Sequence, residues 1–298
     1  METKLRRFFR IELLLGILAV VCVLGCAAMW ITCLPYIQSQ PQSLESPAPT
    51  QTEEDQPSEE ATTEETDPPT EPTIPPEANP YTKIDFQYNP NNYLLCQRQE
   101  SYPGVDVSSF QGNIDWEQVA DSGIRFAIVR LGYRGWGKEG KLVTDELAKT
   151  NLEGARAAGL QVGAYFFSQA LTIEEVDQEI ELMLEILDGF QPDMPLVLDW
   201  ELPVPEARTA GMDPRTLTDL QLHYCEKVTE LGYEPMIYFN WNMSKNLLHL
   251  HELENYPFWL ALYQDRKTYP YHVEMWQYTD KGRVPGISGN VDINVYMP

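Results

Sequence analysis

The pattern of apolar and polar positions divides the chain into three parts. An apolar run covers residues 11–34, interrupted only by Glu12 and a few small polar residues. Residues 35–80 contain few large apolar side chains and are rich in Pro, Thr, Ser, Gln and Glu. From about residue 101, short apolar runs alternate with segments whose apolar residues recur at helical spacing. This pattern predicts one folded domain at 101–298, preceded by an apolar segment and a linker.

Within the folded part, strand and helix patterns alternate. Such alternation predicts a parallel sheet covered by helices. Eight strands in about 200 residues, with little room for helices between the last of them, predict an α/β fold: a small (β/α) barrel with reduced helices in its last third. The predicted strands are 104–108, 125–132, 161–168, 196–201, 234–240, 258–264, 273–279 and 291–296, and the main helices are 114–121, 145–158, 173–187 and 213–231.

The N-terminal apolar run predicts a single-pass membrane anchor. Residues 11–34 exceed the roughly 20 needed to cross a bilayer. Basic residues precede this run, so residues 1–10 are expected in the cytoplasm and the folded domain outside the cell membrane. A cleaved signal peptide, giving a secreted protein, and lipid attachment at Cys26 are the alternatives.

The linker composition and the net charge limit the possible functions. Residues 35–80 carry many acids and neither Lys nor Arg, and a disordered, extended stalk is expected there. Residues 81–100 regain aromatic side chains and form a lead-in to the domain. The formal net charge of −24 argues against non-specific binding of nucleic acid, whose backbone is also negative. The four His show no metal-ligand spacing, so neither a metal nor a cofactor is expected.

Two carboxylates follow the apolar strand at 196–198. Asp199 and Glu201 are two positions apart, so they share a face if the strand continues through Glu201. Two acids beside a buried strand cost desolvation free energy unless they are used or paired. For an isolated pair of this kind, a solvated loop would be the simpler interpretation.

The positions of other polar residues favour a site. The C-terminal ends of barrel strands converge on one mouth, so Asp106, Asp199, Glu201 and Asp292 are expected to meet there. Clustered acids raise each other's pKa, and pairs of carboxyls with aromatic side chains suit glycoside hydrolysis. Trp276 and Tyr278 are equally compatible with core positions. The candidate substrate-binding residues are Tyr165, Tyr238, Tyr263, Gln264, Trp276, Gln277 and Tyr278.

At these residues the chain resembles the family 25 glycoside hydrolases, the Chalaropsis-type lysozymes. The resemblance covers about residues 103–296. It rests on three motifs, which are Gly104-Val105-Asp106-Val107-Ser108-Ser109-Phe110-Gln111-Gly112 with Ile114-Asp115-Trp116, then Asp199-Trp200-Glu201, then Trp276-Gln277-Tyr278 with Val291-Asp292-Ile293-Asn294. The family fold is a flattened barrel of eight strands with few helices, in agreement with the pattern above.

The resemblance implies a muramidase that cleaves the β-1,4 bond from N-acetylmuramic acid to N-acetylglucosamine in peptidoglycan. By position, Glu201 would be the general acid and Asp199 would stabilise positive charge at the anomeric carbon. Asp106 and Asp292 would hold the acids and the sugar, and Tyr165 would hydrogen-bond near the reacting sugar. The segment Arg130-Leu131-Gly132-Tyr133 departs from the family's usual second-strand end, which bears on the contacts to neighbouring sugars.

Four functions are consistent with the sequence. The first is a monomeric, membrane-tethered muramidase that remodels the cell's own wall, and the second is a secreted lysin that acts on other cells. The third is a non-catalytic wall-binding module, and the fourth is a barrel hydrolase for a different glycan. The presence of all four carboxylates favours an enzyme, and the stalk favours the tethered form.

Overall fold

The chain's computed structural model describes residues 76–263 and 269–298. The anchor, the tail and nearly all of the stalk predicted from the sequence lie outside the described residues, and so does Gln264. Among the helices of the described residues, none combines the length and the apolar character that crossing a bilayer requires.

Eight strands close a barrel, which confirms the predicted strand count and fold class. The main sheet has the order β3-β11-β10-β9-β8-β7-β6-β4-β5, and β3 also pairs with β4, which leaves β5 outside the closed ring. The strands are β1 (Phe86–Tyr88), β2 (Leu94–Cys96), β3 (Tyr102–Val107), β4 (Phe126–Arg134), β5 (Leu142–Thr144), β6 (Gln161–Ser168), β7 (Leu196–Trp200), β8 (Pro235–Asn240), β9 (Phe258–Ala261), β10 (Met275–Gly282) and β11 (Val291–Tyr296).

One strand runs against the predicted direction. From β4 through β6 to β10 the barrel pairs are parallel, but β11 is antiparallel to both β10 and β3. The expectation of a wholly parallel sheet is therefore wrong for β11. The physical reason is the short connection at residues 283–290, because a parallel return requires a crossover of a dozen or more residues.

Helices cover the first part of the barrel and shrink towards its end, as predicted. Between β8 and β9 there are two short helices, and the described residues after β9 contain no helix. The helices are α1 (Trp116–Asp121), α2 (Ala148–Ala157), α3 (Ile173–Leu187), α4 (Pro214–Glu230), α5 (Trp241–Asn246) and α6 (Leu250–Leu253). Asp115, Thr172 and Asp213 cap the N-termini of α1, α3 and α4 through their side chains.

The lead-in forms part of the same compact unit as the barrel. Its hairpin of β1 and β2 packs on the outside of the barrel. The Phe86 ring meets the Trp276 ring edge-on at 5.2 Å, and the Leu94 amide donates to the Tyr278 hydroxyl at 3.2 Å. Cys96 on β2 and Cys225 on α4 are buried free thiols, so they are not paired with each other.

The barrel interior is apolar at one end and polar at the other. Phe126, Ile128, Met236 and Met275 belong to a buried cluster inside the ring. A methyl group at Gly104 would lie 2.3 Å from the Phe126 ring, so only glycine leaves room for that ring. Polar side chains are thereby confined to the opposite end of the barrel.

Candidate active site

The polar end of the barrel brings four acids together. Asp106 lies near the end of β3, Asp199 near the end of β7, and Glu201 directly follows β7. Asp292 is the second residue of β11, and it reaches the same end because β11 is antiparallel. A parallel eighth strand would have placed Asp292 at the opposite end of the barrel. The predicted convergence therefore occurs, but for Asp292 the reason differs from the predicted one.

Asp106 is held by two side-chain amides. Its Oδ2 accepts hydrogen bonds from Gln277 Nε2 at 2.8 Å and from Asn294 Nδ2 at 2.7 Å. Asn294 is itself oriented by the Trp259 indole, which donates to Asn294 Oδ1 at 2.8 Å. The nitrogen of each amide donates to Asp106, while its oxygen accepts a hydrogen bond from another side chain, Trp259 for Asn294 and Tyr263 for Gln277. These bonds fix the position of Asp106.

Asp199 and Glu201 share the inner side of the barrel, as the strand period predicts. Trp200 between them points outward, and its indole donates to the Ala170 carbonyl at 2.9 Å. Together with burial, the charge of Glu201 helps to raise the pKa of Asp199, and the Tyr238 hydroxyl lowers the pKa of Glu201 against the larger effect of burial. Such a pair of acids holds a proton between them, because two buried like charges cannot both ionise cheaply.

All four acids hold their protons more tightly than free carboxyls do. Burial raises the pKa of Asp106 to about 6, although its two amide donors oppose the rise. Burial and the charge of Asp106 raise the pKa of Asp292 to about 8. Burial, with the charges of Glu201 and Asp106, raises the pKa of Asp199 well above its ordinary value, and burial also raises the pKa of Glu201. The site can thus donate a proton at neutral pH.

Three predicted polar partners line the same cavity. Tyr263 OH donates to Gln277 Oε1 at 2.7 Å, and Tyr238 OH lies 3.3 Å from the same oxygen. Burial is the main cause that raises the pKa of the Tyr165 hydroxyl on β6. The charges of Asp106, Asp199 and Asp292 raise it further. Tyr263 is half-exposed at the rim, with 48% of its surface accessible.

Two predicted binding residues lie elsewhere. On β10, Gln277 points into the barrel, so its neighbours Trp276 and Tyr278 point outward. Trp276 packs on Phe86, and Tyr278 contacts the lead-in through Leu94. The expectation that Trp276 and Tyr278 bind substrate is therefore corrected: both side chains face outward and pack against the lead-in hairpin.

Sequence reasoning gave Gln169, Arg130 and Asn294 no individual role at the site. Gln169, fully buried after β6, donates from Nε2 to the Glu201 carbonyl at 2.6 Å. Arg130 reaches the mouth from β4, and its charge lowers the pKa of Asp199. A polar residue in an apolar strand was a usable signal for Arg130. Nothing in the local sequence distinguishes Gln169 from a loop glutamine.

The arrangement suits acid–base chemistry on a polar, uncharged substrate. It offers carboxyls with raised pKa, fixed amide donors and tyrosine hydroxyls at one end of the barrel. No group of three or more His, Cys, Asp or Glu within residues 76–263 and 269–298 has the geometry to hold a metal ion. Clustered carboxyls at a barrel mouth are the usual equipment for hydrolysing glycosidic bonds.

Comparison with known proteins decides the family. The model of the glycosyl hydrolases family 25 matches residues 105–287, which include Asp106, Asp199 and Glu201. This chain belongs to glycosyl hydrolase family 25. The resemblance read from the sequence is confirmed, and the protein is a glycoside hydrolase.

This family 25 chain is similar to two curated proteins and one solved structure in particular. It is 32% identical over 228 residues to the uncharacterized protein YegX of Escherichia coli K12, covering 71% of this chain and 76% of that protein. It is 26% identical over 197 residues to the autolytic lysozyme of Clostridium acetobutylicum, covering 65% and 55%. A family 25 glycosyl hydrolase structure from Bacillus anthracis matches with a TM-score of 0.55 at 20% identity, covering 67% and 90%, which supports the shared fold.

Proposed function

We propose that this family 25 hydrolase is a muramidase that cleaves the β-1,4 bond between N-acetylmuramic acid and N-acetylglucosamine in peptidoglycan. The observation that carries the proposal is the placement of Asp199 and Glu201 together at the polar end of the barrel, where burial raises the pKa of both carboxyls. Relatives named as lysozymes, among them the autolytic lysozyme of Clostridium acetobutylicum, support the choice of substrate.

Each acid has a role in the proposed reaction. Glu201, on the chain directly after β7 and less buried than Asp199, protonates the leaving glycosidic oxygen. The pair of acids shares one proton, which passes through Glu201 to the leaving oxygen as the glycosidic C–O bond breaks. Asp199, left as a carboxylate, stabilises positive charge at the anomeric carbon, and water then adds to that carbon and returns a proton to the pair. Asp106, fixed by Gln277 and Asn294, and Asp292 hold the sugar and maintain the high pKa of the pair. Tyr165 and Tyr238 supply hydroxyls to the same cavity.

The test is digestion of purified peptidoglycan by the full-length protein, with products identified by mass spectrometry. We expect new reducing-end N-acetylmuramic acid. Glu201→Gln should lower the rate at least about 10³-fold, because the amide cannot donate a proton to the leaving oxygen. Glu206→Gln, which alters an exposed acid in the same loop, should leave the rate unchanged.

Two outcomes would contradict the proposal. Reducing-end N-acetylglucosamine would mean that the other glycosidic bond is cut. An absence of products from a folded protein that still binds peptidoglycan would favour a wall-binding module instead of an enzyme.

We also propose that the enzyme is tethered to the cell membrane as a monomer, with its barrel outside the cell. The support is the apolar run at residues 11–34, preceded by basic residues and followed by the acidic stalk. Tethering would keep the barrel near the wall. If a secreted form lacking residues 1–75 remodelled the wall in cells as well as the full chain does, this proposal would fail.

A further inference from the structure

An exposed phenylalanine stands at the rim of the barrel mouth. Phe110 lies in the short 3-10 turn Ser109–Gln111, which follows β3, and 84% of its surface is accessible. An apolar ring this exposed gains little free energy from folding. Single exposed apolar residues are common on protein surfaces, but the contacts of Phe110 set it apart.

The ring is supported on one face by a cation. The Arg130 guanidinium carbon lies 4.9 Å from the centre of the Phe110 ring and 5.4 Å from the centre of the Tyr133 ring. Arg130 thus makes cation–π contacts with two aromatic rings, which are favourable for a guanidinium. One face of Phe110 is covered in this way, while the other remains accessible.

A single carboxylate fixes both parts of this support. Asp145 Oδ2 accepts from Arg130 Nε at 2.9 Å and from the Ser109 amide, next to Phe110, at 3.0 Å. Its Oδ1 accepts from the Leu147 amide at 3.0 Å. The turn that carries Phe110 and the guanidinium beneath its ring are therefore held in a fixed relation before any ligand arrives, which reduces the entropy cost of binding.

The support also places Phe110 beside the acids. Arg130 is on the inner face of β4, and its charge lowers the pKa of both Asp199 and Tyr165 against the larger effect of burial. Phe110 contacts the same guanidinium and follows the end of β3, the strand that carries Asp106 to the mouth. It therefore continues the mouth from the acid cluster towards the solvent.

We propose that Phe110 is a stacking platform for an N-acetylated sugar ring of the glycan strand, at a subsite next to the acid cluster. This inference rests on the proposed function and specifies how that site holds its substrate. The accessible face of the ring carries the negative part of its quadrupole, which attracts the C–H groups on one face of a pyranose. Arg130 is not itself an anion site, because its charge is matched by the buried carboxylate of Asp145.

The experiment measures kcat and KM of the full-length protein on soluble, uncrosslinked glycan strands from peptidoglycan. Phe110→Ala should raise KM about five- to tenfold, with kcat within about twofold, since the platform lies outside the reacting centre. Phe110→Trp should keep KM near that of the wild type. Leu231→Ala removes another exposed apolar side chain, at the end of α4 that leads into β8 on the opposite side of the barrel, and should change neither constant.

A binding measurement separates this inference from the proposed function. The dissociation constant of the same glycan strands is measured by calorimetry for Glu201→Gln and for Glu201→Gln with Phe110→Ala. Weaker binding by the double variant, about five- to tenfold, supports the platform even if the wild type cleaves nothing. Equal dissociation constants, or a KM of Phe110→Ala equal to that of the wild type, would overturn it. Matching thermal unfolding midpoints would show that the variants are folded.

Discussion

Asp106 and Asp292 lie directly opposite each other on the antiparallel strands β3 and β11. Like charges at opposed positions of a sheet destabilise the pair. Burial increases this cost, since it raises the pKa of Asp106 to about 6 and that of Asp292 to about 8. At neutral pH the pair therefore retains a proton, and deprotonating it costs folding free energy.

This relationship predicts how stability depends on pH. The pKa of Asp292 rises from 3.8 to about 8 on folding, so the folded chain keeps a proton that the unfolded chain has released. Its stabilising contribution is complete below about pH 4 and is lost as the pH rises towards 8. Asp292→Asn removes this loss. Relative to the wild type, the variant should gain about 1–3 kcal/mol in free energy of unfolding between pH 5 and pH 8.

Urea unfolding of both proteins at the two pH values measures the difference. Asp121→Asn, at an exposed acid on the last turn of α1, serves as the matched control and should follow the wild type. A constant difference between Asp292→Asn and the wild type across this range would contradict the prediction.

Removing the hydroxyl of Tyr238 should affect catalysis, whereas removing that of Tyr278 should affect only stability. Tyr238→Phe removes the hydroxyl near Glu201 and Gln277, so kcat/KM on glycan strands should fall about tenfold or more. Tyr278→Phe leaves the Leu94 amide without its partner and should lower the free energy of unfolding by about 1–2 kcal/mol with kcat/KM unchanged. Loss of activity in Tyr278→Phe alone would show that our placement of the site is wrong.

Gln169 is predicted to position the chain that carries Glu201. Its Nε2 donates to the Glu201 carbonyl at 2.6 Å, and its Oε1 accepts from Thr209 at 3.0 Å. Gln169→Leu frees that carbonyl, and the displaced Glu201 should lower kcat about 10- to 100-fold. Thr209→Val breaks only the bond to Gln169 Oε1 and should mainly reduce stability, by about 1–2 kcal/mol.

The pH profile of kcat shows whether Gln169 only positions Glu201 or also changes the pKa of Glu201. If Gln169 only positions Glu201, the profile of Gln169→Leu should keep the shape of the wild-type profile at a lower height. Equal losses of kcat in Gln169→Leu and Thr209→Val would instead point to a general loosening of the loop.

A buried ion pair should make a large contribution to the stability of the barrel wall. Arg134 Nε donates to Glu179 Oε1 at 2.6 Å, and both side chains are almost fully buried. Arg134→Met leaves the carboxylate without its partner and should cost about 3–5 kcal/mol in free energy of unfolding. Arg215→Met breaks more exposed pairs, with Asp219 and Glu252, and should cost at most about 1 kcal/mol. Urea unfolding at pH 8 compares them, and similar costs would contradict the prediction.

Local patterns in the sequence determined most of the fold. Apolar runs and helical spacing predicted the eight barrel strands and the main helices, because burial imposes these periods on each element separately. The period of two also placed Asp199 and Glu201 on one face, as the structure shows. The edge strand β5 and the hairpin of β1 and β2 were missed, since strands of three residues carry too short a pattern to recognise.

The tertiary structure decided which side chains meet. The direction of β11 set Asp292 opposite Asp106, and the lead-in hairpin covered the outward-facing Trp276 and Tyr278. Gln169 reaches Glu201 across a separation of 32 residues, which no local period encodes. The sequence by itself determined which acids the protein has and which strands carry them. Only the folded barrel, by burying those acids together, determined their pKa values and the partners that hold them.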